Sequence, residues 1–257
     1  MFKKLGGILP ALCLILCLAL GCASAETVRG DLSQRFADVK KLEYEGEEYR
    51  LRDRITSVLA MGIGVDEGGV QRADFAMILC VDDNEKRITV VEIPANTLVQ
   101  LPDEGGNLQY MRFADVYMMG EDPHENCLRL VDCANRVLAE AQIDHYLAFD
   151  VRGMDLVERG VQGTTKEKLK LLKARLEGMS SDEMNDLYAD LGDYIITDMK
   201  SGALMKVADK AERYEVPPHA DLPGTAADGG AAGEVLVPDE SAIAALVVEA
   251  FYELNTW

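Results

Sequence analysis

The stretch that decides the fold runs from Met61 to Thr97 and reads MGIGVDEGGVQRADFAMILCVDDNEKRITVVEIPANT. It continues an apolar run, Ile55–Ile63, that has the length and composition of a β-strand. Phe75–Val81 is a second apolar run, and Arg87–Ile93 alternates and is rich in β-branched residues. The polar DDNEK segment between these two predicts a turn. The stretch therefore predicts a strand, a glycine-broken acidic loop and a β-hairpin.

The acidic loop carries side chains that suit an anion and its metal. Asp66 and Asp74 are two nearby carboxylates that repel each other unless a cation lies between them, and Mg²⁺ prefers such oxygen ligands. Arg72 can hold two phosphate oxygens with its planar guanidinium group. Gly68 and Gly69 allow the backbone to approach a ligand closely. The alternative is a surface turn in which Arg72 forms an ion pair worth less than about 1 kcal/mol.

Helical and strand patterns alternate along the rest of the chain. An Asp-Pro start and two capping boxes mark helix beginnings. The predicted helices cover Asp122–Gln142, Val151–Glu158, Thr164–Gly178, Ser180–Gly192, Met199–Tyr214 and Asp239–Leu254, and further strands cover Tyr146–Phe149, Tyr194–Thr197 and Glu234–Pro238. This order predicts the α/β class, on the border of α+β. We expect a single three-layer α-β-α domain with a central mixed sheet over residues 55–257, after a polar lead-in at 26–54.

Residues 1–25 are predicted to be a signal peptide or membrane anchor. Lys3 and Lys4 precede an apolar run, Leu5–Leu20, and small residues follow up to Ala25. Cleavage after Ala25, lipidation at Cys22 within ALGC, and an uncleaved anchor all fit this pattern. Each alternative attaches or delivers the body to the outer face of the cell membrane, either anchored, lipidated or secreted.

The acidic composition excludes a general polyanion-binding role. The formal net charge is −19 over 257 residues, and the segment before Glu26 contributes only two lysines. Such a chain repels nucleic acid and anionic lipid surfaces, so no nucleic-acid partner is expected. Beyond Cys22 there are three cysteines, Cys80, Cys127 and Cys133, and an odd number does not form a disulfide framework. Core packing is the favoured interpretation for Cys80 and Cys127, and with His124 the helix cysteines match no familiar zinc spacing.

Several motifs in order resemble the LytR–CpsA–Psr family of cell-envelope proteins. The family has a Gly-x-Asp loop, a Gly-Arg-Ser-Asp strand start and an Ile-Pro-Arg-Asp-Thr hairpin end, which the Met61–Thr97 stretch resembles. Later matching segments are RFADVYMMG (112–120), AQIDHYLAFDVRGMDLV (141–157), YIITDMKSGALMKVADKA (194–211) and VLVPDESAIAALVVEAFY (235–252). The resemblance covers most of Ile55–Tyr252, and a single N-terminal membrane segment is usual for the family.

The resemblance implies a function at a diphosphate. Family members transfer an anionic glycopolymer from a polyprenyl-diphosphate carrier to peptidoglycan, with the lipid in an apolar tunnel and Mg²⁺ at the diphosphate. By position, Asp66 and Asp74 correspond to the metal-binding aspartates and Arg72 to a phosphate-holding, catalytic arginine. Arg112 stands at a lysine position of the family and is expected to bind ligand. Ile78, Ile93, Tyr117, Leu130 and Val137 are expected to contribute to a tunnel.

Two departures from the family bear on catalysis. Ala95-Asn96 replaces Arg-Asp in the hairpin end, and no Tyr-x-Arg-x-Arg or Arg-x-x-Arg-Gln pattern follows AQIDHY. Losing an arginine that stabilises a transferring phosphoryl group costs about 10³ to 10⁵ in rate. We therefore expect a divergent member that binds a polyprenyl phosphate or envelope glycan with weak or no catalysis, Asn96 included among the ligand-binding residues. Docking to an envelope protein partner is a further form of this hypothesis.

Two enzymatic alternatives stay open. An active phosphotransferase would use the retained Asp66, Arg72 and Asp74. An unrelated hydrolase would need a general base, for which Asp66 and His145 are the candidates. The ordinary interpretation of His145 is a structural hydrogen bond on its strand.

Overall fold

The computed structural model describes residues 41–66, 68–102, 106–120, 122–138, 141–153 and 194–254, together with 180, 186, 190 and 192. The predicted signal or anchor segment lies outside them. The strands among these residues are β1 (Lys41–Tyr44), β2 (Glu47–Leu51), β3 (Ile55–Val65), β4 (Gln71–Asp82), β5 (Arg87–Ile93), β6 (Leu98–Pro102), β7 (Leu108–Arg112), β8 (His145–Asp150), β9 (Ile195–Thr197), β10 (Ala220–Asp221), β11 (Gly224–Asp228), β12 (Glu234–Pro238) and β13 (Tyr252–Leu254).

The α-helices among the described residues are α1 (Pro123–Val137), α2 (Ser201–Arg213) and α3 (Glu240–Phe251). Side-chain caps explain where two of them begin. Asp122 accepts a hydrogen bond from the Glu125 amide at 2.9 Å ahead of α1, and Asp239 accepts from Ser241 and Ala242, both at 3.1 Å, ahead of α3. None of the described helices has the length and apolar character needed to cross a bilayer.

A six-stranded mixed sheet forms the centre, in the order β10-β5-β4-β3-β8-β9. β3 pairs with β8 in parallel and with β4 antiparallel, and β5 pairs with β10 in parallel. The carboxyl ends of β3, β5, β8 and β10 and the start of β4 therefore lie at the same end of the sheet. We call this end the functional end, because the predicted site residues Asp66, Arg72 and Asp74 lie there.

Helices pack on both faces of the sheet, as predicted for a three-layer domain. One face carries α1, α3 and the 3-10 helix Phe113–Met119 on a large cluster that includes Leu59, Ile78 and Leu130, each with no exposed surface. The other face carries α2, whose Leu204 packs on side chains such as Met77. The mixed α and β composition around one mixed sheet confirms the predicted fold class.

The predicted β4–β5 hairpin is confirmed, but some helix ends are wrong. The helix predicted to reach Gln142 ends at Val137, and the helix predicted to reach Leu254 ends at Phe251. The last residues form β13 instead, because Tyr252 is extended and pairs with Leu51 of β2. The predicted helix Val151–Glu158 begins as a 3-10 helix over Val151–Gly153, and its remainder lies outside the described residues. The helices predicted at Thr164–Gly178 and Ser180–Gly192 lie almost wholly outside them.

Part of the predicted lead-in is integrated with the chain's carboxyl end. β1, β2 and β13 form a three-stranded antiparallel sheet. Arg52, just after β2, donates to the carbonyl oxygens of Tyr252 at 2.8 Å and Glu249 at 3.0 Å. Residues near both ends of the described chain are therefore fastened together.

A β-bulge distorts the β3–β4 pairing where the functional end begins. Gly62 pairs with Phe75 and Ile63 with Ala73, which leaves Asp74 as the extra residue on β4. A Cβ atom at Gly62 would lie 1.7 Å from Cε1 of Phe75, so the ring occupies the space that a side chain would need. Glycine at position 62 thus permits the ring to cover β3 beside the bulge.

A Gly62→Ala variant is expected to lose about 1–3 kcal/mol of unfolding free energy, the usual cost of overpacking, because the Phe75 ring must move. Urea unfolding of the purified protein measures this change. The matched control is Gly202→Ala in α2, where no atom lies within 4 Å of the added Cβ. That control should be neutral or slightly stabilising, and equal losses in both variants would contradict the assigned role of Gly62.

Candidate functional site

The loop between β3 and β4 is held together by Asp66. Its Oδ1 accepts hydrogen bonds from the backbone amides of Gly68 and Val70, both at 2.9 Å. The Asp66 amide donates to the Val70 carbonyl at 3.0 Å, and Gly69 has a φ of +81°, which favours glycine. Hydrogen bonding, first from Val70, holds the pKa of the Asp66 carboxyl below its usual value. Asp66 is therefore ionised and fixed in place at neutral pH.

Arg72 connects this loop to the 3-10 helix. Its Nη1 lies 3.2 Å from Asp66 Oδ2, and its Nε lies 3.2 Å from Asp115 Oδ1. The Nε atom is buried, yet it makes no hydrogen bond, because its N–H is not aligned with that oxygen. Asp115 is held independently by Arg112, whose Nε and Nη2 donate to the two carboxylate oxygens at 2.8 and 3.0 Å. The structure thus brings the predicted residues Asp66, Arg72 and Arg112 together through Asp115.

Asp74 lies close to Arg72 but has no partner of its own. It makes no hydrogen bond or ion pair with any residue that the structure describes. Its carboxylate lies against Gly64, where an added Cβ would be 1.8 Å from Oδ2. Loss of hydration there raises the pKa of Asp74, and the positive charge of Arg72 offsets part of the rise. Asp74 is consequently a carboxylate available to a cation.

A second arginine–aspartate pair lies at the same end of the sheet. Asp150, the last residue of β8, is opposite Ile63 in β3 and is 5% exposed. It accepts hydrogen bonds from the Arg152 amide at 2.9 Å and from the Arg152 guanidinium group. The Arg152 side chain is 59% exposed, which makes it accessible to a ligand. Arg152 is thus an arginine at the functional end that motif spacing alone does not identify.

Asn96 lies apart from this arrangement. Its Nδ2 donates to the Glu234 carbonyl at 3.2 Å, and its own carbonyl accepts from Leu236, so the residue is tied to β12. The neighbouring Ala95 carbonyl accepts from the amide of Ala114, the residue before Asp115, at 2.9 Å. A direct role of Asn96 in ligand binding stays a prediction.

His145 and Asp66 are too far apart to form one catalytic pair. His145 is opposite Val58 near the start of β3. Val58 precedes Gly64 by six residues, or about 20 Å along a strand, and Asp66 lies two residues further on. Its Nδ1 lies 3.1 Å from Asp198 Oδ2, in agreement with a structural hydrogen bond. The hydrolase hypothesis needs only one general base, so it stays an untested alternative in which His145 is engaged with Asp198.

The buried cysteines are structural. Cys80, Cys127 and Cys133 are free and at most 2% exposed. Burial raises the thiol pKa of Cys80 and of Cys133 to about 12, so both are protonated at neutral pH. His124 hydrogen-bonds to Tyr146 at 2.7 Å through Nδ1. The core-packing interpretation is confirmed.

The side chains expected to line a lipid tunnel mostly fill the core. Ile78, Ile93 and Leu130 have no exposed surface and Tyr117 has 1%. Val137 is partly buried against the same cluster. In this conformation the four fully buried side chains form no wall of an open tunnel. The charged groups at the functional end are therefore the side chains that would contact a ligand.

The donor set at the functional end fits Mg²⁺ through Asp74. Among the described residues around β3, β4 and β8, four carboxylates, of Asp66, Asp74, Asp115 and Asp150, accompany three arginines. Asp74 is the carboxylate of this set without an arginine or amide partner. If Arg72 turns to a ligand, Asp66 Oδ2 also becomes available to a cation. Mg²⁺ is usually held by one or two carboxylates together with substrate phosphates. When bound, Mg²⁺ would neutralise part of a diphosphate charge.

An Asp74→Asn variant is expected to be more stable than the wild type in the absence of metal, with a higher Tm at pH 7. A raised folded-state pKa disfavours the native state once Asp74 ionises, so the gain should shrink as the pH falls towards 3.8. Differential scanning calorimetry measures both changes. The variant should also lose any Mg²⁺-dependent rise in Tm.

The control is Glu215→Gln, which removes one negative charge from an exposed residue. It should leave both the metal-free Tm and its response to Mg²⁺ close to wild type. An Asp74→Asn variant that was less stable at pH 7 would contradict the picture of an unpartnered, partly desolvated carboxylate.

Sequence reasoning did not identify Asp115 or the Asp150–Arg152 pair. The Arg112–Asp115 spacing of three residues is a local signal that could have suggested an ion pair. The contact between Asp115 and Arg72 depends on how the 3-10 helix packs on β4 and leaves no signal in the sequence. The short spacing of Asp150 and Arg152 is likewise informative only once β8 is placed beside β3.

Comparison with known proteins identifies the fold. No protein-family model and no curated protein match the sequence. The solved structure of TagT bound to LIIa-WTA matches 88% of this chain and 98% of its own, at 12% identity and a TM-score of 0.56. TagU of B. subtilis matches 76% and 94%, at 13% identity and 0.51. Lin1025 from Listeria innocua matches 76% and 96%, at 16% identity and 0.51. The chain therefore has the fold of LytR–CpsA–Psr-like proteins, as the motifs indicate.

Proposed function

We propose that this chain is a divergent LytR–CpsA–Psr-like cell-envelope protein that binds the phosphate-bearing head of a polyprenyl-linked envelope glycan. The fold it shares with TagT, which has been solved bound to LIIa-WTA and to LI-WTA, supports this class of ligand. The order of the motifs over Met61–Thr97 resembles that of the family. This supports binding of the phosphate head group near Asp66, Arg72 and Asp74, the positions that match the family's phosphate and metal site. The predicted N-terminal segment supports a location on the outer face of the cell membrane.

The contacts of Arg72 are the main support for the proposal. Both of its carboxylate partners are satisfied without it, since Asp66 accepts from two backbone amides and Asp115 from Arg112. Arg72 can therefore turn to a ligand without dismantling the loop. Its buried Nε–H makes no hydrogen bond, and a phosphate oxygen would provide the acceptor. These features favour an arginine that is held ready for an anion.

The charge balance makes the proposed binding dependent on Mg²⁺. The four aspartates and three arginines described around β3, β4 and β8 carry one net negative charge, on a chain whose formal net charge is −19. A diphosphate is repelled by such a surface unless a cation joins it to the carboxylates. Asp74 supplies a free carboxylate for that cation, and Arg72 and Arg152 supply positive charge on either side of β3.

Binding without efficient turnover is favoured over transfer. Arg72 and Arg112 both face Asp115, and Arg152 is paired with Asp150. The hairpin end has Ala95-Asn96 in place of the family's Arg-Asp, and the amide of Asn96 is tied to Glu234. Electrostatic stabilisation of a transferring phosphoryl group depends on preorganised donors that face it. The alternative is an active glycopolymer phosphotransferase, which the retained Asp66, Arg72 and Asp74 favour.

Farnesyl diphosphate, a soluble polyprenyl diphosphate, provides a direct test. Isothermal titration calorimetry of the purified full chain should show binding with Mg²⁺ and much weaker binding with EDTA. Farnesol, which has the tail but no diphosphate, should not bind measurably. Equal binding of farnesol and farnesyl diphosphate would contradict recognition of the head group.

A turnover assay separates the two functions. A polyprenyl-diphosphate-linked glycan donor is incubated with the protein, peptidoglycan and Mg²⁺, and release of the polyprenyl phosphate is measured. Release no faster than with an Asp74→Ala variant, together with intact binding, supports a binding protein. Release well above that control would establish the phosphotransferase instead.

A further inference from the structure

A second cluster of potential ligands lies at the edge of the central sheet. Glu92 is the penultimate residue of β5, and Asp221 ends β10, the short strand beside it. The two residues are directly opposite each other in the parallel pairing, and the amide of Leu222 donates to the Glu92 carbonyl at 3.1 Å. His219 precedes β10 by one residue. This Glu92–His219–Asp221 group shares no residue with the arginine-containing site, although β5 and β10 also end at the functional end.

The three side chains converge on one point. His219 Nε2 lies 3.5 Å from Glu92 Oε2 and 3.5 Å from Asp221 Oδ1. One ligand atom from each residue lies within 4.8 Å of the other two. Ligands held about 2.0–2.2 Å from a tetrahedral Zn²⁺ are separated by roughly 3.4 Å. The two shorter separations thus match a shared metal ion with little rearrangement.

Direct hydrogen bonding does not account for this convergence. Both carboxylates approach the same imidazole nitrogen, which can donate at most one proton. Neither contact meets the distance of a good hydrogen bond. His124 and His145 differ, since each directs Nδ1 to one partner, at 2.7 and 3.1 Å. At His219 both carboxylate contacts fall on the same atom, Nε2.

Charge gives a second reason for a cation at this place. Side chains directly opposite in a strand pair are neighbours, and two like charges there destabilise the pairing. Loss of hydration raises the pKa of Glu92, the proximity of Asp221 adds to the rise, and His219 opposes it. A divalent cation would remove the repulsion between the two carboxylates and join β10 to the sheet through their side chains.

We propose that Glu92, His219 and Asp221 form a binding site for a divalent transition-metal ion, with Zn²⁺ the expected occupant. One imidazole and two carboxylates suit Zn²⁺ better than Mg²⁺, which prefers oxygen ligands alone. Asp221 is 82% exposed and His219 is 42% exposed, so an ion reaches the site from solvent and retains an open coordination position. The strongly acidic chain also concentrates cations around it. The buried thiols of Cys80 and Cys133 are protonated and do not compete.

Competition with a chromogenic zinc chelator tests the proposal. The full chain, freed of metal with EDTA and then exchanged into metal-free buffer, should bind Zn²⁺ with a stoichiometry that falls by one in His219→Gln. Glu92→Gln should weaken the same site by at least about 10-fold, the usual range for loss of a ligand or its support. Asp221→Asn should weaken it to a similar extent.

Two control variants separate this site from other acidic groups. Glu215→Gln removes a carboxylate from the same segment, and Asp74→Asn removes the proposed Mg²⁺ ligand. Both should retain the Zn²⁺ site with unchanged affinity. Circular dichroism spectra that match the wild type, together with a cooperative thermal unfolding transition without metal, establish that each variant is folded.

Substitution with Co²⁺ gives a spectroscopic readout independent of affinity. The wild type should show visible absorption bands from a low-symmetry cobalt site, and His219→Gln should lose them. Wild-type Zn²⁺ stoichiometry and Co²⁺ spectra in folded His219→Gln and Glu92→Gln variants would overturn the proposal. Binding of farnesyl diphosphate at Arg72 does not enter these measurements, so the two proposals stand or fall separately.

Discussion

An Arg72→Ala variant is expected to bind farnesyl diphosphate in the presence of Mg²⁺ about 100-fold more weakly than the wild type, a loss of about 2.7 kcal/mol. The guanidinium is the group that joins the loop of Asp66 to the helix of Asp115. Charge-assisted hydrogen bonds to a phosphate are stronger than neutral ones. Calorimetric titration in constant Mg²⁺ measures the change in Kd.

Protein stability should change far less than affinity in this variant. Asp66 retains the amides of Gly68 and Val70, and Asp115 retains both hydrogen bonds from Arg112. We expect an unfolding free energy within about 1 kcal/mol of wild type, as for other partly exposed ion pairs. The loss of affinity would then report on ligand contact and not on a collapsed loop.

The control and the conservative variant refine this test. Arg129→Ala removes an arginine from a partly exposed pair with Glu125 on α1 and should not affect binding. Arg72→Lys keeps the charge without the planar pair of donors and should recover only part of the affinity. Wild-type affinity in Arg72→Ala would contradict the proposed role, and a comparable loss in Arg129→Ala would indicate general charge attraction.

The local parts of the fold follow from the sequence, and the long-range parts do not. β5 begins and ends where its alternating pattern predicts, because the DDNEK turn and the buried strands fix the hairpin register. Asp66 and Arg72 lie on the two sides of the short β3–β4 turn, so their proximity is also local. β13 escapes prediction because Tyr252–Leu254 continues an apolar helical pattern and is extended only through pairing with β2.

The candidate sites likewise combine local contacts, which the sequence predicts, with long-range contacts, which it does not. The bulge that leaves Asp74 unpaired depends on the packing of Phe75 over Gly62, which two apolar runs in sequence do not specify. Glu92 and Asp221 come together only because β10 adds in parallel to β5. Residue type can suggest such groups, but the pairing of distant strands decides which of them meet.

The largest expected loss of stability belongs to Arg52→Ala, at about 3 kcal/mol, near the lower end of the range for breaking a buried ion pair. Arg52 Nη1 lies 3.2 Å from Asp82 Oδ2, and its Nε and Nη2 donate to two carbonyl oxygens at the end of α3 and in β13. Asp82 is 5% exposed. Truncation removes the counter-charge of the buried Asp82 carboxylate, which keeps the amides of Asn84 and Glu85, and it removes the Arg52 donors from two carbonyl oxygens. Equilibrium urea unfolding measures the change.

Arg50→Ala is a matched control two residues away on β2. Arg50 pairs with Glu253 at 2.6 Å, but both side chains are about 40% exposed, and such a pair contributes less than about 1 kcal/mol. An Asp82→Asn background should reduce the cost of Arg52→Ala, because the stranded charge is then absent. Equal losses for Arg50→Ala and Arg52→Ala would contradict a specific clamp. The expected difference arises from burial, since both arginines join β2 to the end of the chain.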